Sequence, residues 1–561
     1  MTEAESAYSP DYLDLVARQL GRRPLFKLGA AVLALLYAVA IYAPFLAGDR
    51  PFALEAVDAR AYRAALRTLS AVTSSMTRLF DEPAGARAAL ELERRAGAER
   101  LVVLRRHLSP ADAAPLDELE RLWDGALDAH RAARAAEAER LCDEALALAR
   151  ELRTELEPGR ASLRPVRSYP LFESLHPVEV FFMVLWLCVL AWPAWNPLVN
   201  AALLRRDSGR IRRWRRRKWI LCLGGSALAG LAWLVAVGTP PRTFDVAPYK
   251  AGLSSGDIVA SRPPRLPPLP MAYAETHSAE GFRPPTWTRA SELDADGRYV
   301  RGLRRSRPDR VTGVLPPATP VLVRYGEPAA NSPWRHLAGT DQLGRDFLVR
   351  MVWGSRVSLS VGILSAALLT VFGVVVGAAS GYLGGWVDLV AMRLIEILQS
   401  IPALFLILLA MAFTDPEVVH PIVAIVVVIA LIRWTGVARL VRGEFLRLRD
   451  QEFVMAARAL GLSPLRTIVR HVLPNALGPI LVSAAFAVAA GILTESVVSY
   501  LGFGVRHPEA SWGSLVNDSK SAEHWWIQLF PGVLIFLTVT CYNLVGDAVR
   551  DALDPKMKVF A

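Results

Sequence analysis

Apolar runs of about twenty residues constrain this chain more than any other feature. A run that long forms a helix of roughly 30 Å, the depth of a bilayer core, where the backbone must satisfy its own hydrogen bonds. Eight such runs fall at about Phe26–Ala47, Glu179–Leu203, Trp219–Gly238, Val357–Tyr382, Val387–Phe413, Val418–Trp434, Gly478–Phe503 and Ile527–Val549. They account for the 53% hydrophobic content and predict an all-α, polytopic membrane protein with about eight transmembrane helices. The first run is too long for the core of a cleavable signal and reads as a retained anchor. Pro193 and Pro197 predict a kink in the second.

Charge assigns the sides. The net charge of +11 sits beside the apolar runs, which suits a positive-inside bias rather than nucleic acid. Arg18, Arg22, Arg23 and Lys27 border the first run, nine of the fourteen residues from Arg205 to Lys218 are basic, and 433–470 holds eight arginines. These three segments are predicted to be cytoplasmic, and the second to lie against anionic membrane lipid. Thr414–Val418 has two acids and no Lys or Arg, as suits an external turn. Eight spans then place both termini in the cytoplasm. Cys142, Cys188, Cys222 and Cys541 offer neither a disulfide framework nor a metal pattern.

The chain divides accordingly. Residues 1–47 form a cytoplasmic start and the first anchor. Residues 48–177 are rich in Ala, Leu, Arg and Glu, with Leu141, Ala145, Leu148, Leu152 and Leu156 at helical spacing and a helix start at Ser109-Pro110. They predict an extracytoplasmic bundle or hairpin of two or three helices. Residues 178–238 add a pair of spans around the basic turn. Residues 239–350 are Pro- and Gly-rich and predict an irregular external segment. Residues 351–561 hold the last five spans.

Between two of those spans lies a polar, basic stretch from Gln451 to Asn475. Phe453, Ala456, Ala457 and Leu460 mark one helix face. Gly461 ends that helix, Ser463-Pro464 opens another, and Leu473-Pro474 is predicted to close it. An alanine-rich face of this kind lets another backbone approach. Ahead of the fourth run, Gly339, Thr340, Asp341, Gly344, Arg345 and Asp346 form a compact motif. It reads either as a glycine turn with an Asx-type cap or as an external gate or docking contact. Within the spans, Arg393 and Glu396 stand three apart and predict an ion pair. Glu495 has no evident local partner and reads as facing either the transport path or a neighbouring subunit. Small residues around Gly362, Gly373, Gly377 and Gly491 predict close helix packing.

The order Ala456-Ala457, Gly461, Leu473-Pro474 resembles the coupling ("EAA") loop of the membrane subunits of binding-protein-dependent ABC importers. The glutamate that names that loop is Met455 here. The resemblance extends over about 336–561, nearly end to end, to the peptide and nickel class of importer permeases. It is carried by Gly339 through Asp346, Gly381 through Asp388, Met392-Arg393, Ile401-Pro402, Leu501-Gly502, Ser511-Trp512-Gly513, Asn543, Gly546-Asp547 and Asp551 through Pro555. One anchor followed by an external segment ending in Gly-Thr-Asp is similar to the C-type subunit of that class. The region 48–238 lies outside the resemblance.

The resemblance implies a polytopic helical permease subunit of the bacterial inner membrane, with peptides as its expected cargo. It implies as partners a homologous second permease, ABC ATPase subunits and an external substrate-binding protein. It makes Met455, Ala456, Ala457, Gly461, Leu473 and Pro474 the residues that couple to the ATPase. The sequence has no Gly-x-x-x-x-Gly-Lys-Ser/Thr loop, so ATP is expected to bind the partners and the chain itself to need no cofactor and to catalyse nothing. The rival expectation is a membrane-anchored sensor, with 48–177 as its external domain, working without any ATPase.

Overall fold

Proline punctuates the helices. Pro24, Pro110, Pro177, Pro421 and Pro464 each open one, where the missing N–H would have had no partner anyway. In a computed structural model the described residues are 19–80, 86–132, 134–156, 163–202, 208–239, 248–255, 257–262, 264–277, 280–285, 336–505 and 507–553. The first 18 residues with Arg18, residues 203–207 of the basic turn, 286–335 of the Pro- and Gly-rich segment, and the Asp-Pro pair at 554–555 lie outside the described residues.

Helix α1 (Pro24–Ile41) leads to a four-helix bundle of α2 (Ala59–Phe80), α3 (Ala86–His107), α4 (Pro110–Arg131) and α5 (Ala135–Glu155). Its core holds Tyr62, Leu69, Leu101, Leu116, Trp123 and Leu152. Two or three helices were expected, and α2 is the one the composition hides. Its stripe of Tyr62, Leu66 and Leu69 runs through a stretch rich in Ser and Thr. Ser109 caps α4 by accepting the Asp112 N–H at 3.2 Å. Three short antiparallel strands close the base of the bundle in the order β2-β1-β3: β1 (Leu54–Asp58), β2 (Val166–Ser168) and β3 (Ile258–Ala260). The sheet is an exception within an otherwise all-α fold. It also gives the segment expected to be irregular a fixed start, through Val57 paired with Val259.

Besides several short helical turns, further helices are α6 (Pro177–Ala202), α7 (Ser208–Ala236), α8 (Phe347–Leu383), α9 (Gly385–Ser400), α10 (Ala403–Ala412), α11 (Pro421–Leu448), α12 (Glu452–Ala459), α13 (Leu473–Tyr500), α14 (Trp512–Asn517) and α15 (Trp525–Leu553). Six helices among the described residues are long and apolar enough to cross a membrane, or seven with one bent pair. One of the eight expected spans therefore needs correction. The fifth is broken into α9 and α10, bent by 82°. Proline drives the preceding residue out of the helical region, and Ile401 is extended at φ −104°, ψ 135°. The second expected span corresponds to α6, one helix from Pro177 to Ala202.

Small residues let the spans close on one another. α8 and α11 run parallel, and a Cβ on Gly377 or Gly381 would come within 2.5 Å of the Ala438 carbonyl or 2.7 Å of the Arg442 carbonyl. α13 runs antiparallel to α8, with Gly491 against Ser365 and the Gly362 backbone. This packing lies within the chain. Helix α1 runs antiparallel to α15, and Arg23 pairs with Asp551, so both described ends of the chain meet at one face.

Candidate functional site

The helix–turn–helix from 451 to 475 lies at the face where Arg23 meets Asp551. Arg442 there forks onto Asp388 at 2.5 and 2.6 Å, and Arg458 lies 4.9 Å over the Tyr382 ring. Asp388 also accepts from Ser380 at 2.6 Å. The predicted face of α12 divides in two. Ala457 packs inward with Val454, against a core containing Phe445 and Val472, whereas Phe453, Ala456 and Leu460 face outward. Leu460 is 82% exposed, and Leu465 (71%) and Val469 continue the apolar crest. Met455 stands half exposed beside it.

Gly461 turns the chain. Its φ is +74°, its N–H reaches the Arg458 carbonyl at 2.9 Å, and the Leu462 N–H reaches Ala457 at 3.2 Å. These are the paired bonds of a Schellman stop, which needs a left-handed residue. Pro464 then opens the second helix as expected, but Pro474 does not end it. Residues Ile468–Val472 widen into a π turn, with the Leu473 N–H bonding back to Ile468, and the chain continues directly into α13. The wide turn accommodates the proline ring, and Asn475 donates to the His471 carbonyl at 2.7 Å. The second helix of the hairpin and the seventh apolar run are thus one continuous rod.

At the opposite face, the Gly339–Asp346 motif closes on itself and on residues 264–285. Thr340 donates to the Glu280 carbonyl at 2.5 Å and accepts the Arg283 N–H at 2.7 Å. Asp341 accepts the Leu343 and Arg345 N–H groups, the Arg345 side chain at 2.6 Å and Arg350 at 2.5 Å. Arg350 also pairs with Asp518, which ties the motif to the loop before α15. Asp346 caps α8 through the Val349 N–H and holds His336 at 2.8 Å; the other ring nitrogen of His336 faces Glu280 at 3.1 Å. Burial works to lower the His336 pKa, but the hydrogen bonds from Asp346 and Glu280 outweigh it, and the net shift is upward. Gly339 (φ +78°) and Gly344 (φ +72°) leave room for the crossing chain: a Cβ on Gly344 would lie 1.8 Å from the His277 carbonyl oxygen. Thr340, Asp341, Arg345 and Asp346 are all buried, so these four groups are engaged within the chain.

Comparison with known proteins decides what this frame belongs to. The family described as "Binding-protein-dependent transport system inner membrane component" matches residues 373–559. The dipeptide transport system permease protein DppC of Bacillus subtilis is 40% identical over 226 residues, covering 40% of this chain and 69% of that protein. The oligopeptide transport system permease proteins OppC of Haemophilus influenzae and Escherichia coli are 42% and 44% identical over 223 residues each, covering 39% of this chain and 70% and 72% of theirs.

The chain belongs to this family.

As an ABC importer permease it is a transport subunit and a multi-pass protein of the inner membrane, and the sensor reading loses its ground. The residues matched by the family, 373–559, begin within α8 and take in the 451–475 hairpin and α9–α15. The bundle and the α6–α7 hairpin lie outside them.

The permease's intramembrane ionisable groups resolve differently. Arg393 and Glu396 pair at 2.7 Å, on a side of α9 that the rest of the chain leaves uncovered, with side chains 72% and 61% exposed. Glu495 faces neither an open path nor an empty seam. It is fully buried and accepts from Ser499 at 2.7 Å and from Ser358 of α8 at 3.1 Å. That corrects both alternatives offered from sequence. Ser499 lies one turn on, at i+4, so a local partner was visible in the chain. Ser358 was not, because it lies 137 positions away. Sequence reasoning also missed Arg350, His336 and Glu280, whose roles depend on contacts between separate loops. His420 caps α11 and stands 3.6 Å from Glu509, and no metal-ligand cluster occurs among the described residues.

Proposed function

We propose that this permease imports peptides, working with a second homologous permease, two ATPase subunits and an external substrate-binding protein, with both termini and the 451–475 hairpin in the cytoplasm. The observation that carries this reading is the apolar crest of Phe453, Leu460, Leu465 and Val469, left uncovered at a polar, arginine-rich face. Exposed apolar groups rimmed by charge mark a protein contact, and a groove on an ATPase subunit is the partner that fits. Met455 puts an apolar side chain where the family's glutamate stands, so shape and burial, rather than an ion pair at that position, hold the contact. The names of the relatives support peptides as cargo.

Closure of the ATPase pair on ATP would push on the rigid hairpin. Because the π turn joins it to α13 without a break, displacement at Leu460 passes directly to a spanning helix. Tight glycine contacts between α8 and α11 then move the spans as a body rather than one by one. The free energy enters from the partner, since the sequence offers no phosphate loop for ATP.

A cross-linking experiment tests the docking. Leu460→Cys in the assembled complex should form a cross-link to an ATPase subunit, and the yield should change when ATP is added. Trp386→Cys, on another exposed part of the same half of the chain, serves as the comparison. No cross-link from Leu460→Cys, with intact assembly, would overturn the assignment, as would ATP hydrolysis by the purified chain alone.

A further inference from the structure

The α6–α7 hairpin lies outside the family match and outside the transport reading. Helix α7 is uninterrupted from Ser208 to Ala236, yet in sequence its apolar run begins only at Trp219, after Lys218. The boundary is marked by an aromatic pair. The Trp192 and Trp219 rings are 5.1 Å apart, and the Lys218 ammonium lies 3.7 Å over the Trp192 ring. Tryptophans that flank the end of an apolar run, with a lysine stacked on one of them, mark a membrane interface. The hairpin's other end, where Trp233 donates to the Leu175 carbonyl, adjoins the bundle. Residues 208–217 therefore extend past the apolar core on the side away from the bundle. At 1.5 Å per residue they reach about 15 Å, roughly twice the depth of a headgroup layer.

This extension carries Arg210, Arg212, Arg213, Arg215, Arg216 and Arg217, and no Asp or Glu occurs from 208 through 244. A helix of this composition opposes its own formation. Arginines three and four apart repel one another. They also crowd the N-terminal end, where the helix dipole is already positive. Nothing within α7 can compensate, so the stabilising anions must come from outside it.

We infer that residues 208–217 are a docking site for the headgroups of anionic phospholipids, which anchor the added hairpin to one leaflet. Charge complementarity and position select the occupant. Lipid phosphates are the anions that a helix emerging from the core meets in its first turns. Each cation near an anionic surface is worth about fivefold in partitioning, and the attraction is screened by salt.

The test uses the full-length chain in mild detergent, incubated with equal parts phosphatidylglycerol and phosphatidylcholine, repurified, and assayed for retained lipid by native mass spectrometry. The wild-type chain should retain phosphatidylglycerol preferentially. The variant Arg212→Gln/Arg213→Gln/Arg215→Gln/Arg216→Gln should lose that preference by at least about tenfold, while lysine at the same four positions should keep it. Equal preference in the glutamine variant, loss in the lysine variant, or no preference in the wild type would overturn the inference. So would displacement of the phosphatidylglycerol by duplex DNA at equal phosphate concentration. Should the glutamine variant fail to insert, salt titration of the wild type decides, because a preference indifferent to salt would be equally fatal.

Discussion

Gly461 allows the hairpin to be perturbed alone. A Cβ at this position meets nothing within 4 Å, so Gly461→Ala introduces no clash. Its cost is that of holding an L-residue at φ +74°, about 1–2 kcal/mol. That shifts the balance between the Schellman turn and its alternatives by roughly five- to thirtyfold. Proline is more severe. It fixes φ near about −65° and removes the N–H that bonds to Arg458, so neither stop bond survives, at about 3 kcal/mol or more. The loss is confined to an exposed turn, and the buried contacts of Val454 and Ala457 with the spans remain. The assay is the assembled complex in proteoliposomes, with ATP hydrolysis and peptide uptake measured side by side and insertion checked by membrane fractionation. Gly461→Ala should lower uptake per ATP in part, and Gly461→Pro should abolish it while insertion stays normal. Uptake at the wild-type rate by the proline variant would refute the hairpin as the coupling element.

Other expectations concern stability, read as thermal denaturation in detergent. Gly344→Ala drives a Cβ into the His277 carbonyl at a left-handed position, and should cost at least about 3 kcal/mol; a melting temperature within error of wild type would mean the crossing chain does not pack there. Glu495→Leu strips the buried acceptor from Ser358 and Ser499 and should cost about 1–3 kcal/mol for each hydroxyl left unsatisfied, whereas Glu495→Gln keeps an acceptor and should cost less; the reverse order would contradict the network. His336 gains its proton more readily in the fold than in the unfolded chain, so its contribution is full below the ordinary histidine pKa and is lost as pH rises through the elevated folded value. His336→Asn should therefore destabilise more at about pH 6 than at about pH 9, and an equal loss at both would show that the proton plays no part.

What could be read locally is visible in particular residues. The Gly461 stop and the proline at the start of the second hairpin helix depend only on neighbours within five positions. The break before Pro402 carries the same kind of local signal, yet hydropathy summed over a window passes straight across it. Pro474 shows the limit of local rules, since a π turn five residues long in sequence absorbs a residue that normally stops a helix. Arg350 illustrates the opposite case. It stands beside a recognisable motif, but its link to Asp518 spans 168 positions and has no sequence signal in a single chain.

Sequence by itself determined that this chain is a polytopic helical membrane protein, which family it belongs to, and where its hairpin turns. Those properties follow from apolar length, charge beside the spans and the backbone freedom of single glycines, all of which act over a few turns of helix. Tertiary structure alone decided that the second helix of the hairpin and the seventh span form one rod, that Glu495 is a buried acceptor, and that the Gly339–Asp346 motif clasps residues 264–285. Each of these depends on which faces meet, and a helix's period fixes its faces without naming the neighbour each will bury against.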